Sequence, residues 1–213
     1  MGVIWTRYKD REEWLQHREG IGASEAGAVC GMGFKTPLRL WQEKTGLAKP
    51  DDLSSNERVQ FGNAIEEPMR GMFRVMNPEY ELEFEPYTVL RRDDRHTFLF
   101  YTPDGWLTER ATGRKGLYEC KSATCLSAAD WAKWNGKIPD SYYCQLLHGM
   151  YVGGYAFAVL FAILRNREGD GELRAYSFER DAVEEDIRWL VGKEEAFWRC
   201  VERGVMPPVT LRV

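Results

Sequence analysis

The chain has 213 residues, with 29 Lys and Arg against 33 Asp and Glu, for a formal net charge of −4. That balance argues against a sequence-independent nucleic-acid coat, which is basic. A content of 44% hydrophobic and 13% aromatic residues excludes a disordered chain. The length predicts a single domain, 1–213, able to bury a real core. Cys30, Cys120, Cys125, Cys144 and Cys200 are odd in number and lack C-x-x-C spacing, which predicts reduced thiols. The longest apolar run, Tyr155 to Leu164, is too short to span a bilayer, and no apolar signal-peptide core opens the sequence. The expectation is a cytoplasmic protein with no membrane partner.

In chain order, Asp10 caps a short helix over 11–18, which Gly20-Ile21-Gly22-Ala23 breaks. Ser24 then reads as the N-cap of a small-residue helix, Glu25 to Cys30, and such a helix start can receive an anion. Arg18 lies just upstream. Taken alone, the two read first as an ordinary cap and a surface arginine. Thr36-Pro37 opens a third helix, with Thr at the N-cap and Pro at the first helical position, and Gly46 ends it. From Ser54 a long helix is predicted, with Val59, Ile65, Met69, Met72, Phe73 and Met76 at helical spacing and a kink or break at Pro68. Residues 79–90 and 97–101 alternate as strands.

The central stretch is Thr102-Pro103-Asp104-Gly105-Trp106-Leu107 followed by Leu117-Tyr118-Glu119-Cys120-Lys121-Ser122. It reads as two strands joined through the polar loop Thr112 to Gly116. The two-residue period puts Leu117, Glu119 and Lys121 on one face and Tyr118, Cys120 and Ser122 on the other. A solvent-facing strand would look like this. So would a strand that presents a metal ligand and a cation to one phosphate. Asp is also a common turn residue, so the pair gains meaning only from what surrounds it. Ser127 to Trp134 predicts a short helix, and Pro139-Asp140 begins another through Tyr143, Gln145, His148 and Tyr151. Tyr155 to Leu164 predicts a buried central strand, 172–179 a further strand, and Asp181 to Arg203 a closing amphipathic helix. The order predicts an α/β (α+β) fold, a mixed central β-sheet flanked by helices.

Six stretches in order carry a resemblance: Trp14-x-x-x-Arg18 through Gly20-Ile21-Gly22-Ala23-Ser24-Glu25; Leu40-Trp41-x-x-Lys44-Thr45-Gly46; Gly62-Asn63-x-x-Glu66; Pro103-Asp104-Gly105; Glu119-Cys120-Lys121; and Tyr143-Cys144-Gln145. Together, over residues 11–154, they resemble the phage lambda exonuclease family, the YqaJ-type viral recombinases among the PD-(D/E)xK nucleases. The resemblance implies a restriction-endonuclease-like core. It implies that Asp104, Glu119 and the backbone carbonyl of Cys120 hold metal, with Glu66 as an upstream helical carboxylate. It implies that Lys121 positions or activates the attacking water and that Gln145 braces the site. Arg18 and Ser24 match a 5′-phosphate pocket. Leu147 stands where the family often has a second Gln, Glu67 adjoins Glu66, and Glu25 stands where many relatives have Asp.

Phosphodiester hydrolysis needs an activated water and neutralised charge, both of which Mg²⁺ supplies through oxygen ligands. Two carboxylates about 4 Å apart repel by roughly 4 kcal/mol at an effective dielectric near 20, so a converging carboxylate cluster calls for a cation. The reading implied is a 5′→3′ exonuclease that degrades one strand from double-stranded DNA ends to 5′-mononucleotides, leaving a 3′ single strand for recombination. Its cofactor would be Mg²⁺, two per site, with Mn²⁺ able to substitute. The family's partners are a single-strand annealing protein and two further copies of the chain in a homotrimer. A restriction-like endonuclease would share the catalytic strand without needing Arg18 and Ser24. A Cas4-like nuclease would need four cysteines on an iron–sulfur cluster. A non-catalytic DNA-end-binding relative would lack the carboxylates or Lys121.

Overall fold

Local signals set most helix ends in the computed structural model, which describes residues 2–92 and 96–208. After β1 (Val3–Arg7), the Asp10 side chain accepts the Glu13 N–H and starts α1 (Arg11–Gln16). A two-residue strand, β2 (Ile21–Gly22), leads directly into α2 (Ala23–Val29). The N-cap of α2 is Gly22, not Ser24, and the Glu25 carboxylate accepts the Gly22 N–H at 2.9 Å. Ser24 therefore lies inside the first turn, exposed, because the small residues from Ala23 onward pack as soon as β2 ends. Thr36 caps α3 (Pro37–Lys44) as its sequence predicts, through the Arg39 N–H at 3.1 Å.

The long helix α4 (Glu57–Met76) starts at the Asn56 cap, and Pro68 neither breaks nor ends it. Pro68 sits on the exposed side, while Met69, Arg70 and Phe73 are buried on the opposite side. The missing backbone donor thus faces water, and packing holds the helix through the proline.

The alternating stretch 79–90 divides into β3 (Tyr80–Glu83) and β4 (Thr88–Arg92), which belong to different sheets. Pro86 and Tyr87, the latter in the left-handed region at φ 61°, turn the chain between them. Next come β5 (Leu99–Tyr101), β6 (Gly105–Glu109), β7 (Lys115–Thr124), α5 (Ala128–Ala132), α6 (Asp140–Gly153), β8 (Phe157–Arg165), β9 (Gly171–Glu179) and α7 (Arg180–Arg203).

The larger sheet has the order β3-β6-β7-β8-β9, with β7 and β8 parallel and the other pairs antiparallel. The smaller has the order β1-β4-β5-β2, with β2 parallel to β5. The expected mixed sheet is present, and β1, β2, β4 and β5 add a second one. β8 is the buried central strand that its apolar run predicts. Helix α4 covers one face of the large sheet, where Met69 and Phe73 meet Tyr118, Cys120, Phe157 and Phe161. Helix α6 covers the other, so close that a Cβ at Gly149 would lie 3.1 Å from Leu117 and 3.2 Å from the Tyr101 ring. Outside α6 lies α7, which adds Ile187, Leu190 and Phe197 to the core.

Candidate active site at the open edge of a strand

β6 pairs with β7 only as far as Gly105 opposite Tyr118. From Glu119 onward, β7 has β8 on one side and an edge that β6 does not cover. The Asp104 turn occupies the start of that edge, and Asp104 Oδ2 accepts the Cys120 N–H at 2.9 Å. A side chain thus continues the ladder where the strand stops. The N–H and C=O of one strand residue point to the same edge, so the Cys120 carbonyl points to the side where Asp104 sits.

Glu119 and Lys121 share the α6 face of β7, as the two-residue period predicts. Glu119 is buried, at 1% exposure, yet three donors reach it. Lys121 Nζ lies 2.6 Å from Oε1, the Gln145 amide of α6 donates to the same oxygen, and the Tyr101 hydroxyl donates to Oε2 at 3.1 Å. The Lys121 ammonium also lies 5.4 Å from the Tyr142 ring centroid on α6. Burial, followed by the negative charge of Asp104, pushes the Glu119 carboxyl well above its ordinary range, against the pull of Lys121. Burial alone would lower Lys121, but the Glu119 and Asp104 carboxylates outweigh it and hold the lysine proton more firmly than usual.

Glu66 comes from α4, on the far face of the sheet. Burial and the Asp104 charge push its carboxyl up to about 7, opposed by Arg70 and Lys121. Glu67 points away to Arg70 and Arg74 with its side chain 69% exposed, so Glu66 is the acidic residue of that pair turned to the site. Among the described residues, no three His, Cys, Asp or Glu side chains close into a metal cage. Glu66, Asp104 and Glu119 therefore approach one another without converging as a trio. What the edge offers is two carboxylates and a main-chain carbonyl, with the Glu119 oxygens turned onto Lys121, Gln145 and Tyr101.

Arg18 follows α1, and Ser24 lies in the first turn of α2. The Arg18 guanidinium stacks 4.4 Å over the Trp14 ring and lies 5.6 Å from the Phe100 ring centroid. Its Nε is buried without a hydrogen-bond partner. Burial lowers its pKa, and the nearby Glu25 opposes that shift.

Sequence reasoning missed three supports. Arg70 of α4, 4% exposed, donates to the Asp104 carbonyl at 3.2 Å and lies 3.8 Å over the Phe84 ring, fixing the Asp104 turn. Tyr101 reaches Glu119 from the smaller sheet. His148, one turn beyond Gln145, bonds the Phe100 carbonyl at 2.9 Å and Glu194 of α7 at 2.6 Å. Only the apolar spacing around these residues was visible in the sequence; their partners lie 18 to 48 positions away.

Several known proteins resemble this chain in sequence or fold. A YqaJ-like viral recombinase domain matches residues 13–156, which include Arg18, Ser24, Glu66, Asp104, Glu119, Lys121 and Gln145. The uncharacterized protein YqaJ of Bacillus subtilis (strain 168) is 29% identical over 201 residues, covering 93% of this chain, and the chain spans 58% of that relative's length. The alkaline exonuclease LHK-Exo from Laribacter hongkongensis shares the fold at a TM-score of 0.68 and 17% identity, over 91% of this chain and 94% of that one. LHK-Exo in complex with dAMP superposes at 0.58 and 16% identity, with 91% and 94% coverage. A phage related exonuclease from Haemophilus somnus 129PT superposes at 0.56 and 12% identity, over 90% and 98% of the two chains. The family match spans more than half of the sequence and every candidate site residue, and the chain belongs to the YqaJ-like viral recombinase domain family.

Proposed function

We propose that this chain is a Mg²⁺-dependent 5′→3′ exonuclease that degrades one strand from the ends of double-stranded DNA, releasing 5′-mononucleotides and leaving a 3′ single strand for annealing. The observation that carries the reading is Glu119, a buried carboxylate at the uncovered edge of β7, with Asp104 beside it and Lys121 and Gln145 bonded to it. A solvent-facing Glu-x-Lys strand would leave this carboxylate exposed. The fold likeness to LHK-Exo, solved with dAMP, supports a nucleotide product.

The donor set fits magnesium. Asp104, Glu119 and the Cys120 carbonyl are oxygen ligands of the hard kind that Mg²⁺ prefers, and Glu66 is the further carboxylate within electrostatic reach. When bound, Mg²⁺, at two ions per site, neutralises phosphate charge and acidifies water, and Mn²⁺ can take its place. Asp104 and Glu119 would hold the metal at the strand edge, where Asp104 already caps the Cys120 N–H. Lys121, bonded to Glu119 Oε1 beside the strand edge, would position or activate the attacking water and face the developing phosphate charge. Gln145 keeps the Glu119 Oε1 edge aligned. Arg18, with an unpartnered Nε, and the exposed Ser24 hydroxyl bind the terminal 5′-phosphate. The homotrimer and the annealing partner rest on the family resemblance and the cytoplasmic setting on the short apolar runs; light scattering giving a mass near 24.7 kDa would refute the trimer.

The test is an end-labelled linear duplex against a closed circular one, with and without Mg²⁺. Loss of label from the linear duplex alone, and only with metal, is the expected result. Cutting of the circle at a similar rate would replace this reading with an endonuclease.

A further inference from the structure

The Tyr101 ring is completely buried, and its hydroxyl is the only group reaching Glu119 from the smaller sheet among the described residues. It donates to Oε2 at 3.1 Å, while Lys121 and Gln145 both take Oε1. We infer that Tyr101 is a positioning residue for the metal-binding carboxylate: it holds Oε2 of Glu119 and so fixes the rotation of the carboxylate plane at the open edge of β7. This inference rests on the metal-dependent reading above.

Three observations argue that the contact does more than satisfy a buried hydroxyl. The tyrosine is held from two directions. Its strand is fixed through the Phe100 carbonyl, which accepts from His148 at 2.9 Å, and its ring lies so close to α6 that a Cβ on Gly149 would come within 3.2 Å of it. Tyr101 therefore has little freedom to seek another partner. Second, the donors are divided between the two oxygens. Without the Tyr101 hydroxyl, both remaining donors pull on Oε1, and among the described residues no hydrogen-bond donor holds Oε2. Third, a neutral donor suits this place. A second cation here would compete with a bound metal for the carboxylate, whereas a phenol orients it and leaves its charge available. Outer partners of metal-binding carboxylates act in this way, and their loss weakens metal binding about 10–100-fold.

The test is isothermal titration of Mg²⁺ into wild type and Tyr101→Phe, with circular dichroism to verify the fold and single-turnover cleavage measured at limiting and saturating Mg²⁺. The expected result is Mg²⁺ affinity about 10–100-fold weaker in the variant, with most of the rate recovered at saturating metal. Gly149→Ala crowds the ring and Leu117 without removing the hydroxyl, and should weaken Mg²⁺ in the same direction by a smaller factor. It provides the reading if Tyr101→Phe does not fold. Variant affinity within about twofold of wild type, whatever happens to the melting temperature, would make the contact purely structural and overturn the inference. Wild type that binds no Mg²⁺ would sink the metal-dependent function itself, and this inference with it.

Discussion

His148 Nδ1 lies 2.6 Å from Glu194 Oε1, and both side chains are at 0% exposure. The Phe100 carbonyl accepts the proton on Nε2, so the Nδ1 contact shares one proton between imidazole and carboxylate. The pair ties α7 to α6 one turn from Gln145, and to β5 one residue from Tyr101. The C-terminal helix thereby braces both neutral donors to Glu119. Removing one partner should be costly: His148→Leu leaves a buried carboxylate unpaired, and urea unfolding should show a loss of about 3–5 kcal/mol.

The same pair sets a pH dependence. Burial works against a charged His148, but Glu194, the Phe100 carbonyl and the Glu25 carboxylate outweigh it and raise its pKa above the ordinary 6.5. A raised folded value means that this contribution is complete below pH 6.5 and is lost as pH rises through the folded value. The wild type's stability advantage over His148→Gln/Glu194→Gln should therefore shrink steadily from pH 6 toward alkaline conditions. A constant difference between the two proteins over that range would mean that the pair does not titrate.

Asp104→Asn keeps the size of the side chain and an acceptor for the Cys120 N–H, but removes the charge beside Glu119. Cleavage in Mg²⁺ should fall at least about a hundredfold, because charge neutralisation by metal is worth several kcal/mol and each 1.4 kcal/mol is tenfold. The melting temperature should not fall with it, since Asp104 is one of the charges that destabilise the ionised Glu119. Turnover like wild type would remove Asp104 from the site.

Lys121→Met removes the ammonium while filling the space against Tyr142. If its role is on the attacking water, the single-turnover rate should fall about 10²–10³-fold, the range for losing one aligned donor to developing charge, while DNA binding in Ca²⁺ is retained. Calorimetry showing lost Mg²⁺ binding with an unchanged single-turnover rate would assign Lys121 to holding Glu119 instead.

What could be read from the sequence followed the range of the physics. The two faces of β7, the Asp10 and Thr36 caps and the buried β8 strand are set by neighbours within a few residues, and each could be predicted. Pro68 was read by a local rule that the packing of Met69 and Phe73 overrides. β1 could not be recognised, because an edge strand with Ile4 and Trp5 half exposed has no clean alternation. The Ser24 cap was misplaced by two residues, because the helix start is set by the Glu25 carboxylate reaching back to Gly22. Within the site, the shared face of Glu119 and Lys121 follows from the period, while their roles come from the resemblance. Tyr101, Arg70 and the His148–Glu194 pair depend on which elements come together, and no local spacing encodes that.

Arg18 separates an end-directed enzyme from every endonuclease reading. Its guanidinium carbon lies 4.4 Å from the Trp14 ring centroid, its Nε is buried without a partner, and burial already makes its charge less comfortable than in water. A terminal phosphate would supply the missing acceptor through charge-assisted hydrogen bonds, and bidentate pairing would fix the strand end in register. A 5′-hydroxyl end cannot do so. Each lost bond to a charged group costs about 1.5–3 kcal/mol, or roughly ten- to a hundredfold in rate where that energy is used to place the first phosphodiester. Arg18→Ala should therefore slow degradation of 5′-phosphorylated duplex by that factor and leave 5′-hydroxyl duplex nearly unchanged. Initial rates for both substrates with both proteins form a two-by-two cycle. A coupling near zero, with both substrates slowed equally, would make Arg18 a general DNA contact or a packing residue on Trp14, and the 5′-phosphate pocket would have to lie elsewhere.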